Sequence, residues 1–524
     1  MTREAVTREA EEPGTVPRGI VVVGNGMAGS RLVSEIRARD PRVPLTVFGA
    51  EARRPYNRVL LSNVLAGAAR ADQIGLVDPA WYETSGVDAR LGVEVVRVDR
   101  EARTVHGSDG SAVPYGTLVI ATGSSSFVPP IPGTEGGLPA GAVAFRTLDD
   151  CEAIIGAAEG ARRAVVIGGG LLGVEAARGL AGRGLEVTVA HLAGHLMDRQ
   201  LDAGAGKVLA RTLGRLGVRA RLEAVVTGIR TAPDRDGAAR VNGVELAAPG
   251  GGAEAAEAAE VLDADLVVLA CGVRPEVGLA RAAGLEVDRG IVVDETLRSV
   301  SDPSVRAIGE CSQYGGTVYG LVAPAWEQAA VLADLLTGAD ALARFTGARE
   351  ITRLKAAGVD LVAMGETHHG DDDPDVEIIR FADASRGTYK KVAIREGRVI
   401  GGILLGETGT AGTLTQLYDR AAPPPADRLS LFFTGVGGAR PADSPVRMPD
   451  AATVCHCNNV SKGQILECWE KGARTAEEVA ARTRASTGCG GCQDTVAGIV
   501  DWLAEQDHDG PGQVRVGVGA APGG

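Results

Sequence analysis

Four cysteines crowd the C-terminal part of this 524-residue chain as Cys455-His456-Cys457, then 31 residues, then Cys489-Gly490-Gly491-Cys492. A closed set of four thiolates suits either structural zinc or a 2Fe-2S cluster, because both metals accept soft sulfur donors tetrahedrally. Zinc ribbons favour two C-x2-C knuckles. Here one pair is C-x-C, and the glycines of the other leave backbone amides open to cluster sulfides, so the spacing favours iron-sulfur. His456, between two ligands, is expected to lie outside the coordination shell, and Cys468 to be a packed helix residue. The remaining thiols, Cys151, Cys271 and Cys311, stand far apart and read as inert core residues.

Two glycine-rich turns offer a second chemistry. Gly24-Asn25-Gly26-Met27-Ala28-Gly29 follows an apolar run, Gly19 to Val23, and precedes a helical stretch. Gly168-Gly169-Gly170-Leu171-Leu172-Gly173 repeats that arrangement 144 residues later, after Ala164 to Ile167. In such a turn the glycines allow a tight bend, a close approach of pyrophosphate to the backbone, and close packing of helix on strand, with the helix N-terminus facing the anion. Glu51, after the run Leu45 to Phe48, is placed to bind a ribose hydroxyl. The second unit lacks that acid: His191 stands after Val187 to Ala190, which leaves NADH and NADPH unseparated.

The elements that must position these groups alternate short β-branched runs with Ala/Leu-rich helical stretches from residue 18 to about 350, the pattern of an α/β fold with parallel sheets. Two nucleotide-binding units are expected, the second inserted within the first. The runs Val376 to Arg380, Tyr389 to Arg395 and Val399 to Leu405 suggest a small α+β unit with a sheet meander. The expected organisation is a disordered tail over 1–17, an FAD domain over 18–150 and 272–343, and an NAD(P)H domain over 151–271. A small α+β domain over 344–420, a Pro/Gly-rich linker over 421–450, a helical 2Fe-2S domain over 451–506 and a second tail over 507–524 complete it. A formal net charge of -13 disfavours nucleic acid or an anionic membrane as partner. No stretch approaches the ~20 apolar residues of a membrane span, and no apolar leader follows the N-terminal charges, so a reducing cytoplasmic setting is expected.

Two further segments carry a resemblance. Val119-Ile120-Ala121-Thr122-Gly123, and Thr296-Leu297-Arg298-Ser299 leading to Ala307-Ile308-Gly309-Glu310, resemble the pyridine nucleotide-disulfide oxidoreductase superfamily. The resemblance implies that Ala121, Thr122 and Gly123 close over FAD and that Glu310, usually Asp in the family, contacts the ribityl chain beside Gly309. It also implies that Arg58 and Gly272 join the cofactor contacts and that Glu175 orients the stacked nicotinamide and flavin rings as the catalytic carboxylate. The disulfide branch of that superfamily sets a pair of cysteines against the flavin, as C-x4-C or C-x2-C, and the first 450 residues here lack such a pair. Around the four cysteines, Val454 to Ser461 and Thr487 to Cys492 resemble the bacterioferritin-associated ferredoxin-like 2Fe-2S domain, against which the zinc reading recedes.

With Arg54-Pro-Tyr-Asn-Arg-Val-Leu-Leu-Ser62, Gly320 to Pro324 and Leu354 to Asp360, residues 18 to 506 are similar to the flavin half of assimilatory NAD(P)H nitrite reductase large subunits and to the electron-transfer subunit of assimilatory nitrate reductase. The implied activity passes electrons from NADH (or NADPH) through FAD and the 2Fe-2S cluster to a terminal reductase. A sirohaem nitrite reductase centre would need four more suitably spaced thiolates. The expected acceptor is therefore a separate chain, a molybdopterin nitrate reductase catalytic subunit, with a separate sirohaem nitrite reductase or another ferredoxin-type reductase system as the alternative.

Overall fold

The computed structural model describes residues 19–233, 237–247, 260–433, 448–450, 452–455, 460–486 and 492–508. The expected N-terminal tail, the C-terminal tail beyond His508 and linker residues 434–447 lie outside them. The chain divides into two compact units, one through Thr408 and one from Gly409.

Within the first unit, continuous apolar strands bury both faces in two parallel sheets. The first sheet runs Val305–Ala307, Thr117–Ile120, Ile20–Val23, Leu45–Gly49, Asp88–Leu91. Its central strand, Ile-Val-Val-Val, is wholly buried, as expected for a parallel strand covered by helices on both sides. The second sheet runs Val218–Arg221, Glu186–Ala190, Arg163–Ile167, Leu266–Leu269, Ala142–Ala144. Strand Val305–Ala307 returns to the first sheet after the second is complete, so the two units interleave. The edge strand Ala142–Ala144 pairs with Leu266–Leu269 and so belongs to the second sheet.

Each sheet is accompanied by a three-stranded antiparallel meander, Val95–Asp99 to Ala112–Pro114 in one and Val225–Pro233 to Glu260–Asp263 in the other. A third element of this unit is a five-stranded antiparallel sheet ordered Ile351–Ala356, Val359–Gly365, Arg398–Leu405, Thr388–Arg395, Glu377–Asp383. It contains the expected meander and adds the hairpin at Ala356 to Val359.

The second unit holds helix Ala411–Asp419 and, further on, a hairpin and three helices. Strand Thr453–Cys455 pairs with Val460–Ser461, and Ser461 then caps helix Lys462–Glu470 in a reciprocal box with Gln464. Helices Ala476–Thr483 and Gln493–His508 close a small core around Ile465, Trp469, Val479 and Val496. Cys468 is packed into that core. Part of the expected linker is also buried, at Leu431 and Phe432. Among the described residues, no helix is long and apolar enough to cross a membrane.

Candidate functional site

The two glycine turns are built alike, atom for atom. At Gly24 the backbone has φ +110°, and a Cβ would lie 2.1 Å from the Ala121 carbonyl oxygen. At Gly168 φ is +106°, and a Cβ would lie 2.3 Å from the Ala270 carbonyl oxygen. Both are pressed against the end of the next parallel strand. Gly29 and Gly173, one helical turn on, would each drive a Cβ to 1.9 Å from the carbonyl oxygen of Gly24 or Gly168. The middle glycines differ: a Cβ on Gly26 or on Gly170 would meet nothing within 4 Å. The first and last glycines of each turn, and Gly169 in the second, are thus dictated by the protein's own packing, while Gly26 and Gly170 face open space. That is the division of roles required where a pyrophosphate approaches the backbone.

Helix ends support the same reading. Helices Leu148–Ala158, Ala203–Arg215, Lys462–Glu470 and Ala476–Thr483 are capped by the side chains of Thr147, Asp202, Ser461 and Thr475. Helices Met27–Arg39 and Leu171–Gly182 begin at Gly26 and Gly170 with no side-chain cap. Helices Val322–Thr337 and Ala411–Asp419 also lack a side-chain cap; the two glycine-turn helices are set apart by an open glycine at the N-cap, an arrangement that suits an anion and that the helix dipole favours. Beside the first turn, the buried amides Asn25 Nδ2 and Gln328 Nε2 have no partner among the described residues. Gln328 reaches the turn that carries Glu310, its Oε1 accepting from the Gly309 N–H at 2.8 Å. A cradle with open glycines, uncapped helix amides and unsatisfied carboxamides fits a dinucleotide.

Around this cradle the fold gathers most of the flavin-side residues named from sequence. Ala121 donates its N–H to the Val23 carbonyl at 2.7 Å, and the Thr122 hydroxyl donates to the Glu276 carbonyl at 2.7 Å. Gly123 accepts the Glu276 N–H at 2.9 Å, and Gly272, at φ +94°, accepts the Phe127 N–H at 2.9 Å. The bonds from Thr122, Gly123 and Gly272 flank the paired strands Ser124–Ser126 and Val273–Pro275, which connect the dinucleotide units. Gly309, at φ +78°, sits against Ala28, and the Met27 carbonyl accepts from Trp326 Nε1 at 3.1 Å.

Two carboxylates are already partnered. Glu51 pairs with Arg58 and accepts the Tyr56 hydroxyl at 2.7 Å, which binds the acid to the Arg54 to Ser62 segment. Glu310 accepts the Ser124 hydroxyl at 2.5 Å and pairs with Arg146. Arg146 escaped the sequence reading because it belongs to no glycine motif. It lies just before helix Leu148–Ala158, and only the fold brings it to Glu310.

Leu171 and Leu172 open the second dinucleotide helix, and Glu175, one turn further, is 4 % exposed. That helix packs on helix Leu61–Leu65 of the first unit, closely enough that a Cβ on Gly179 would come 3.3 Å from Leu65. Glu175 is therefore carried on the helix that joins the two nucleotide units. His191 is turned into the second glycine turn, its Nδ1 accepting the Gly169 N–H at 3.1 Å.

The lone thiols are poor redox groups. Burial pushes Cys151 and Cys271 up to about 11 and raises Cys311 as well, so all three stay protonated near neutrality. Among the cluster cysteines, Cys455 ends its strand at 2 % exposure, and Cys492 precedes helix Gln493–His508 at 7 %. The Ser486 N–H donates to Cys492 Sγ at 3.2 Å, a contact that suits a thiolate ligand. Cys457 and Cys489 lie outside the described residues.

Comparison with known proteins agrees with this geometry. Residues 18–329 match the family model described as pyridine nucleotide-disulphide oxidoreductase. The chain belongs to this family. Residues 351–421 match the rubredoxin NAD+ reductase C-terminal domain, and residues 453–502 the BFD-like [2Fe-2S] binding domain. It is similar to a nitrite reductase [NAD(P)H] of Bacillus subtilis, 36% identical over 94% of this chain and 59% of that protein. It is also similar to the assimilatory nitrate reductase electron transfer subunit of the same organism, 33% identical over 94% of this chain and 60% of that one. The chain thus spans about three-fifths of the length of these relatives. Among solved structures, the covalent putidaredoxin reductase-putidaredoxin complex superposes with a TM-score of 0.67 at 25% identity, covering 78% of this chain and 94% of that one. The chain is thus a flavin-dependent pyridine-nucleotide oxidoreductase that carries a BFD-like [2Fe-2S] binding domain.

Proposed function

We propose that this reductase takes electrons from NADH at the 151–271 unit, to whose sheet strand Ala142–Ala144 is added, holds FAD in the unit formed by the rest of 18–150 and by 272–343, and delivers electrons through the 2Fe-2S domain to a separate terminal reductase. The observation that carries this reading is the matched pair of glycine turns, each with one open glycine and an uncapped helix, in a chain that also bears the cluster domain. Its partner is a molybdopterin nitrate reductase catalytic subunit in the cytoplasm. Support comes from the likeness, along nearly the whole chain, to a protein named as an electron-transfer subunit. Likeness to a nitrite reductase keeps a sirohaem enzyme as the second reading.

FAD and the 2Fe-2S cluster, when bound, supply hydride acceptance and single-electron delivery. The chain's own residues bind and orient. Gly24, Gly26 and Gly29 bring the first helix N-terminus to the flavin nucleotide's pyrophosphate, and Gly168, Gly170 and Gly173 do so for the nicotinamide nucleotide. Glu51, held by Arg58, would bind the adenosine ribose of FAD, and Glu310, held by Arg146 and Ser124, would bind the ribityl chain. Glu175, buried on its helix, would orient the nicotinamide. Cys455, Cys457, Cys489 and Cys492 hold the cluster.

Anaerobic titration with NADH, followed by visible absorbance and electron paramagnetic resonance, tests the order. Flavin bleaching followed by a reduced 2Fe-2S signal is expected. Flavin bleaching without that signal would exclude internal relay. Reconstitution with a purified molybdenum nitrate reductase or a sirohaem nitrite reductase then separates the two partners, by which substrate NADH reduces.

A further inference from the structure

The strand Glu186–Ala190 ends where a nicotinamide nucleotide presents its adenosine ribose, in the crevice beyond the carboxyl ends of the parallel strands. An acid at that strand end is the usual means of recognising a free 2'-hydroxyl, and this chain has His191 instead. His191 is fully engaged by the protein. Nδ1 accepts the Gly169 N–H at 3.1 Å, so the ring hydrogen sits on Nε2, which faces Asp198 Oδ1 at 3.1 Å. Neither nitrogen is left for a nucleotide phosphate.

The segment bearing Asp198 is fixed across the same turn. The Met197 N–H donates to the Gly169 carbonyl at 2.8 Å, and the Leu196 and Met197 side chains are fully buried. A Cβ on Gly169 would come 2.5 Å from Leu196 and 2.8 Å from the His191 ring, so strand end, glycine turn and returning segment are packed without slack. Asp198 is the polar group this packing delivers, with its side chain 37% exposed and, among the described residues, one oxygen engaged, by His191. Of the nearby cations, Arg221 at the neighbouring strand end is paired with Glu260 at 2.7 Å, and Arg199 lies exposed beside Asp198.

We propose that Asp198, held by His191, replaces the missing strand-end acid: its second oxygen accepts the adenosine 2'-hydroxyl and its charge repels a 2'-phosphate, so the enzyme selects NADH over NADPH. This rests on the reading of the second glycine turn as the nicotinamide nucleotide site. A like-charge contact at a protein surface is worth roughly a factor of ten or more in binding.

The test is anaerobic stopped-flow reduction of the flavin-loaded full chain by NADH and by NADPH. Wild type should favour NADH by about tenfold or more in the second-order rate constant. Asp198→Asn keeps an oxygen for His191 but removes the charge, and should cut that ratio about tenfold, chiefly through tighter NADPH binding. A preference for NADPH in wild type, as expected if Arg199 gripped the 2'-phosphate, would overturn the proposal, and so would an unchanged ratio in Asp198→Asn. If that variant folds poorly, competition on wild type decides: adenosine 2',5'-bisphosphate should bind more weakly than adenosine 5'-monophosphate, and equal or tighter binding would overturn the proposal. Gly170→Leu separates the two layers of argument. Loss of reduction by both nucleotides upholds the site, so that an unchanged Asp198→Asn ratio then refutes only the Asp198 assignment, whereas normal reduction of Gly170→Leu would refute the site and the inference with it.

Discussion

Gly24 and Gly26 stand two residues apart, and the fold asks opposite things of them. At Gly24 a methyl group would strike the Ala121 carbonyl from a positive-φ backbone, so Gly24→Ala should cost about 2 kcal/mol or more. That loss will show as a lower melting temperature in calorimetry of the flavin-free protein. At Gly26 an added Cβ meets nothing within 4 Å among the described residues, so Gly26→Ala should leave the flavin-free melting temperature nearly unchanged while lowering flavin content, read from absorbance, about tenfold or more. Equal melting losses in both variants would remove the distinction between packing glycine and ligand glycine. Glu175→Gln keeps the buried shape of its side chain but not the charge; it should slow flavin reduction by NADH about tenfold with little change in NADH binding. The glycine motifs were legible in sequence because a turn chemistry requires specific residue types at fixed spacing. Arg146, Asn25 and Gln328 were not, because an arginine or a carboxamide in a local sequence is an ordinary surface residue until the fold buries it or brings it to a partner.

Among the elements, helix Ala203–Arg215 does more than cover the second sheet. Its cap Asp202 accepts the Ala205 N–H at 2.9 Å, the Tyr389 hydroxyl at 2.7 Å and Lys391 Nζ at 2.8 Å. The last two come from strand Thr388–Arg395, so one carboxylate joins the nucleotide-binding unit to the five-stranded sheet. Lys391 is 2% exposed and has the Thr367 carbonyl as its other acceptor, at 2.9 Å. Asp202→Ala would strand that ammonium and should destabilise by about 3–5 kcal/mol, measurable by denaturant unfolding. Burial by itself would raise the Asp202 carboxyl, but the Ala205 amide, Lys391 and Tyr389 more than offset it and hold the group below the ordinary carboxylate value. A carboxyl depressed by folding stabilises above its unfolded pKa, about 3.9, and stops doing so as pH falls through the folded one. The melting temperature should therefore fall in acid below about pH 4, and less steeply in Asp202→Asn. The β-rich runs Val376 to Arg380, Tyr389 to Arg395 and Val399 to Leu405 announced the sheet around Tyr389. Nothing in it marked Lys391 as buried, because a lysine in a β-rich run reads as a solvent-facing position.

For the whole molecule, the test of function is whether electrons entering one unit leave from the other. Cys492→Ser should abolish the reduced 2Fe-2S resonance and delivery to the terminal reductase, while NADH still bleaches the flavin and still supports reduction of a small artificial acceptor. Loss of flavin bleaching in that variant would show that the cluster domain serves the flavin site rather than its outlet. The sequence by itself determined the chemistry available to this protein: thiolates in C-x-C and C-x2-C pairs and glycines spaced for two dinucleotide turns are local patterns, and a single stretch of backbone suffices to impose them. It also determined the alternation of strand and helix, since burial on both faces of a parallel strand demands a continuous apolar run. Only the tertiary structure decided which groups confront one another: Glu310 with Arg146, Glu51 with Arg58, Asp202 with Lys391, and His191 with Gly169 and Asp198. Most of these contacts join residues far apart in the chain, and even the nearer ones depend on how a turn closes, so their partners follow from chain topology and packing rather than from spacing.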